Sequence, residues 1–231
     1  ELLRKMRIAL GLIDPTKGGD LVQAVHAATD EMLKQANDNN MNKRRDALKA
    51  LATSEDPRVI DFLIKQTAET VDESKRLEAI EAMGERGNGR VLPVLLKLLG
   101  SSSGQVRQAV AKSLDRLGMP ESAPSLFAAL KKETRSGVRG NLVRALVTAD
   151  ANTPEFRKFI IGMIKGSTQG DAMHALRAAG RMKADDELKK AIIAASKGNS
   201  PSVRGAAYWA LGMHKVTEAA AAMAKAAEIE K

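Results

Sequence analysis

The chain has 231 residues, 44% hydrophobic, 28% charged and only 3% aromatic, with no cysteine and a formal net charge of +9. This is enough apolar material for a continuous core and too much for a disordered chain. Disulfides, thiolate metal sites and a cysteine nucleophile are excluded. No apolar run approaches the roughly 20 residues that span a bilayer, so a soluble fold is expected.

In chain order, Arg7-Ile-Ala-Leu-Gly-Leu-Ile-Asp-Pro15 precedes a long helical pattern from Asp20 to about Ala36, which predicts a divergent first unit. Beyond it the sequence repeats. Val106-Arg-Gln-Ala-Val-Ala-Lys-Ser-Leu114 returns at Val138-Arg139 and again at Val203-Arg204, and Asp171 to Lys183 fills the gap between them with the same apolar spacing. Anchor residues of the first helices are Leu51, Ile80, Leu114, Leu146, Ala179 and Leu211, separated by 29, 34, 32, 33 and 32 residues. A period of this length means stacked helical units, because one helical hairpin cannot bury its apolar face alone.

Apolar residues at i, i+4 and i+7, such as Val110, Leu114 and Leu117, give each first helix one buried face. A proline opens several second helices, at Pro57, Pro120 and Pro154, where its missing N–H costs nothing. Second helices repeat the pattern at Ile60, Leu63 and Ile64, at Ala123, Leu126 and Phe127, at Leu188, Ala191 and Ile192, and at Ala220, Met223 and Ala224. Short polar linkers rich in Gly, Ser, Asn and Thr separate the units, with residues placed to cap the following helix. The segment from Gly84 to Gly89 reads as a loose turn within a unit. One domain over 1–231 is expected, with units at 1–40, 41–70, 71–101, 102–133, 134–167, 168–199 and 200–231.

The pattern Val-Arg-x-x-Ala/Leu-x-x-Ala-Leu, followed by a proline turn and a second helix, resembles the HEAT-like repeats of the type found in phycobilisome lyase subunits and many bacterial repeat proteins. The resemblance implies an all-α, right-handed α-solenoid of about six to seven helical hairpins. It implies little about activity, since such repeats serve scaffolds, adaptors, chromophore-lyase subunits and some DNA glycosylases. The family's first-helix arginine matches Arg44, Arg107, Arg139 and Arg204, each seven residues before its anchor, whereas Glu73 and Ala172 take its place in two units. Recurrence in register suits a structural link between repeats.

Residues 101–200 carry 17 basic and 9 acidic side chains. In the family, second helices line the concave face, which here would display Lys131, Lys132, Arg157, Lys158, Lys165, Lys189, Lys190 and Lys197 as a basic partner-binding row. Catalytic signals are sparse. His26, His174 and His214 fall in three units without metal-ligand spacing, Asp185-Asp186-Glu187 reads as a helix cap, and neither a catalytic residue nor a cofactor is expected. Of the aromatic pair Tyr208-Trp209, one ring is expected inside and the other at the surface. The expected function is a non-catalytic scaffold or adaptor for an acidic or extended protein segment. The alternatives are a nucleic-acid-binding protein or HEAT-like DNA glycosylase-type enzyme, and a chromophore-lyase or chaperone subunit. Bacterial cytoplasm, periplasm or membership of a larger chain are all compatible, since Glu1 leaves a leader or preceding domain open.

Overall fold

The structure, a computed structural model, describes residues 18–216 apart from 55 and 167. The expected first-unit segment 7–15 and the second-helix residues Ala220, Met223 and Ala224 lie outside the described residues. All regular structure among the described residues is helical: twelve α-helices and two single turns of 3-10 helix. The chain divides into two compact units, 1–86 and 87–231.

The first unit holds α1 (Gly18–Gln35), α2 (Met41–Ala52), α3 (Pro57–Gln66) and α4 (Glu73–Arg86). Asn40 starts α2 by accepting hydrogen bonds from the backbone N–H groups of Asn42 and Lys43 at 2.9 and 3.2 Å. Asp56 starts α3, with Pro57 in its first turn. Helix α4 packs on both α2 and α3, through Ala79, Ile80 and Met83. The expected turn at 84–89 is shorter than its composition suggests. Gly84 is a buried residue of α4, the helix runs on to Arg86, and Arg86 donates to the Leu51 carbonyl at 2.8 Å. Only Gly87, at φ +68°, and Asn88 make the turn.

The second unit continues with a 3-10 turn (Gly89–Val91), α5 (Leu92–Leu98), α6 (Gly104–Leu117), a second 3-10 turn (Pro120–Ser122), α7 (Ala123–Lys132), α8 (Ser136–Thr148), α9 (Pro154–Gly166), α10 (Gln169–Ala179), α11 (Asp186–Ala195) and α12 (Pro201–Met213). The first helices α6, α8, α10 and α12 pack one upon the next. Each second helix lies on the first helix of the following repeat: α5 on α6, α7 on α8, α9 on α10 and α11 on α12. Ser103, Thr168 and Ser200 cap α6, α10 and α12. Gly118 closes α6 in the left-handed conformation, φ +58°.

All six anchors are buried. Each Leu or Ile so buried stabilises by about 1.5–3 kcal/mol relative to exposure. Alanine, leucine, isoleucine, valine and methionine fill most of the core. The aromatic contribution concentrates in one cluster, where Phe127 of α7 meets Phe156 and Phe159 of α9 edge-on at 5.8 and 5.6 Å.

Candidate functional site

The repeated arginines share one geometry. Arg44 donates through Nη1 to the carbonyls of Asp38 and Asn39 and forks Nε and Nη2 onto Glu78 of α4 at 2.8 and 3.0 Å. Arg107 binds the carbonyls of Ser101 and Ser102 in the same way and forks onto Glu133 at 2.6 and 3.1 Å. Arg139 holds the Glu133 carbonyl and reaches Asp171 of α10 at 3.0 Å. Arg204 holds the carbonyls of Gly198 and Asn199. At Arg44, Arg107 and Arg139 the guanidinium thus lies between the linker before its own helix and a carboxylate further along the chain, and at Arg44 and Arg107 the contact is a two-toothed fork that lysine could not make. The Arg107 fork, helped by the Thr134 and Arg135 amides, holds the Glu133 carboxyl below its ordinary range.

The expected basic row lies on the second helices of the second unit except for Lys197, which falls in the turn after α11 because that helix ends at Ala195. Lys131 and Lys132 end α7 and Lys165 ends α9, while Glu155 opens α9 and Asp186 and Glu187 open α11. Acid at the N-terminus and base at the C-terminus complement the helix dipole, which accounts for those lysines structurally. Lys131 also sits over the Phe127 ring, 4.8 Å from its centroid. Arg157 is engaged internally, donating to Asp185, the Lys183 carbonyl at 3.0 Å and Asn152 at 2.6 Å. Lys158, Lys189 and Lys190 sit away from the C-terminal turns of α9 and α11, and together with exposed Lys197 they have no carboxylate within ion-pair distance among the described residues.

A second feature, absent from the charge pattern of the second helices, lies on the first helices. A cavity of about 700 Å³ opens between α8, α10 and α12, with Arg144, Arg177, Arg181, His174 and the Trp209 indole around it and no carboxylate in its lining. Arg144, Arg177 and Trp209 each stand two residues before an anchor, at Leu146, Ala179 and Leu211, so one repeat position supplies all three. That register was the available signal. Arg144 is held by Asp115, whereas Arg177 and Arg181 have no carboxylate partner among the described residues.

Two glycines let rings pack close to the helices. A Cβ on Gly140 would lie 2.5 Å from the His174 ring, and one on Gly180 would lie 2.6 Å from Trp209 Cζ3. Trp209 is 40% exposed, and Tyr208 is half-buried. Burial pushes the His174 pKa below its ordinary value, and the Arg177 charge acts in the same direction.

The other candidates take structural positions. Asp185 caps α11 by accepting from the Leu188 N–H at 2.8 Å, which with Arg157 lowers its pKa. His214 lies 2.8 Å from the Ala179 carbonyl, and His26 is exposed on α1. Among the described residues no group of three His, Asp or Glu side chains is placed to hold a metal ion. No described helix is long and apolar enough to cross a membrane.

Residues 62–147 match the family model described as HEAT repeats. The sequence matches no curated protein. Several solved structures share the fold. The complex of CpcE and CpcF of phycocyanin lyase from Nostoc sp. PCC7120 aligns with 80% of this chain and 76% of that chain, at 20% identity and TM-score 0.56. A designed armadillo repeat protein in complex with peptide (KR)4 aligns over 79% and 98%, at 17% identity and TM-score 0.53. Human deoxyhypusine hydroxylase in complex with glycerol aligns over 90% and 81%, at 14% identity and TM-score 0.52. At these identities the likeness is one of fold, an all-α array of helical repeats.

Proposed function

We propose that this chain of HEAT-like repeats is a non-catalytic protein-interaction scaffold whose partner lays an acidic, extended segment across the second helices of the second unit. The carrying observation is the contrast between the two sets of cations. Arg44, Arg107, Arg139 and Arg157 are occupied by carboxylates and carbonyls of the fold itself. Lys158, Lys189 and Lys190 are not, and the dipole of their helices does not call for them where they stand. Charge that the fold does not use is available to a partner. A similar array has been solved with the basic peptide (KR)4. In this chain the exposed row is cationic, so charge complementarity favours the opposite peptide.

The test is titration of a fluorescein-labelled oligo-glutamate peptide against the wild-type chain and a triple variant, Lys158→Glu, Lys189→Glu and Lys190→Glu. Each exposed pair contributes about 0.2–1 kcal/mol, so the variant should bind about 3- to 150-fold more weakly, with an unchanged circular dichroism spectrum. Unchanged affinity removes the second-helix row from the interface. Duplex DNA bound in preference to the peptide, with log K falling steeply with log salt, would move the function to nucleic-acid binding.

A further inference from the structure

The first-helix cavity is separate from those lysines and has a different chemistry. We infer that the space between α8, α10 and α12 is a binding site for a small organic anion, a carboxylate or phosphate ester joined to a flat apolar body.

Its volume of about 700 Å³ falls in the range of roughly 300–1,000 Å³ found for small-ligand sites. Its charge selects an anion, since Arg177 and Arg181 border it without a carboxylate partner among the described residues, while Arg144 is already held by Asp115. Arg177 and Arg181 stand four residues apart along one side, so both guanidinium groups can address a single anionic head with charge-assisted hydrogen bonds. A buried amphiphile needs more than charge, and the same cavity supplies an apolar wall. Val147, Met173 and Ala206 line it, and the partly exposed Trp209 indole offers a flat surface for an aromatic or planar body.

The backbone sets where the aromatic wall stands. Gly180 allows the indole to lie against α10, because a Cβ there would come within 3.0 Å of both Trp209 and the Ala210 backbone. Gly205 borders the cavity, and a Cβ there would have nothing within 4 Å. Any larger side chain at 205 would therefore grow into free space.

Trp209 is the only tryptophan in the chain, so its emission reports the site directly. The experiment titrates the full chain with phenyl phosphate and with benzoate while following that emission, with inorganic phosphate and benzyl alcohol as controls for head and body. At least one of the two organic anions should give a saturable change, and each control should bind about tenfold or more weakly. The double variant Arg177→Gln, Arg181→Gln should weaken binding about tenfold per arginine, with the circular dichroism spectrum unmoved because both side chains are exposed. Gly205→Leu should block the titration in a folded chain.

No saturable response to either anion in the millimolar range overturns the inference. So does an equal response to benzyl alcohol, or unchanged affinity in the double arginine variant. A response to oligo-glutamate peptide alone also overturns it, by assigning the cavity to the protein partner. The Lys158, Lys189 and Lys190 reversals should leave phenyl phosphate binding intact, so the two proposals succeed or fail separately.

Discussion

Replacing Arg107 by methionine keeps the apolar stem and removes the head group that joins the linker at 101–102 to Glu133. The Glu133 side chain is 3% exposed and accepts four hydrogen bonds, two from Arg107 and two from the Thr134 and Arg135 amides. Breaking a buried pair costs about 3–5 kcal/mol, because the remaining charge is stranded. Here Arg107 keeps 21% of its side chain exposed and two amides still serve Glu133, so the expected loss is about 2–3 kcal/mol. For a chain of this size that is roughly 4–12 °C in Tm, read by thermal unfolding followed by circular dichroism. The loss should depend on pH with a defined sign. Arg107 depresses the folded carboxyl below its usual 4.5, so the unfolded chain binds more protons on acidification. The stabilisation is present above pH 4.5 and disappears as pH falls through the folded value. The gap between wild type and variant should narrow in acid, and Glu133→Gln should add little to Arg107→Met. A neutral-pH loss below about 1 kcal/mol, the value of an exposed pair, would refute this account, as would a gap that acid does not change.

Gly162 lies exposed within α9, and a Cβ there meets nothing within 4 Å. Gly162→Ala should therefore stabilise by about 1 kcal/mol through helix propensity, seen as a higher Tm. Gly180→Ala should do the opposite, losing about 1–3 kcal/mol by overpacking and changing Trp209 emission as the ring is displaced; unmoved emission would place the indole elsewhere. His174 has a folded pKa below 6.5, so the unfolded chain protonates first on acidification. Its neutral form contributes stability that is complete above about pH 6.5 and declines as pH falls toward the folded value. His174→Gln should flatten that limb of a denaturant-midpoint-against-pH curve.

The periodic elements were legible because burial repeats with them. Leu51, Ile80, Leu114, Leu146, Ala179 and Leu211 are spaced by the repeat and are all inside. Asp56 with Pro57 and Asp185 with Asp186 announce helix starts through local chemistry alone. The cavity was less legible, although its register is in the sequence. A reading that counts charge gives more weight to eight second-helix cations than to Arg144 and Arg177. The cavity depends on open space beside Gly205 and on rings packed against Gly140 and Gly180, on or just past three different helices, and missing side chains show in depth and not in periodicity. The engagement of Arg157 was hidden for a related reason. Its acceptor Asp185 is 28 residues away, and only the packing of α9 on α11 brings the two together.

The arginine forks also limit how such a chain can lose or gain modules. Arg44 with Glu78, and Arg139 with Asp171, each join partners about one period apart. A deletion that excises a period in phase hands each guanidinium a new acceptor only if the incoming module carries acid at the matching place. An out-of-phase cut leaves a carboxylate or a pair of linker carbonyls orphaned at the splice. Shortening by recombination is therefore tolerated at particular junctions only, and the acidic residue at each seam, as much as the apolar anchor, determines which modules can be neighbours.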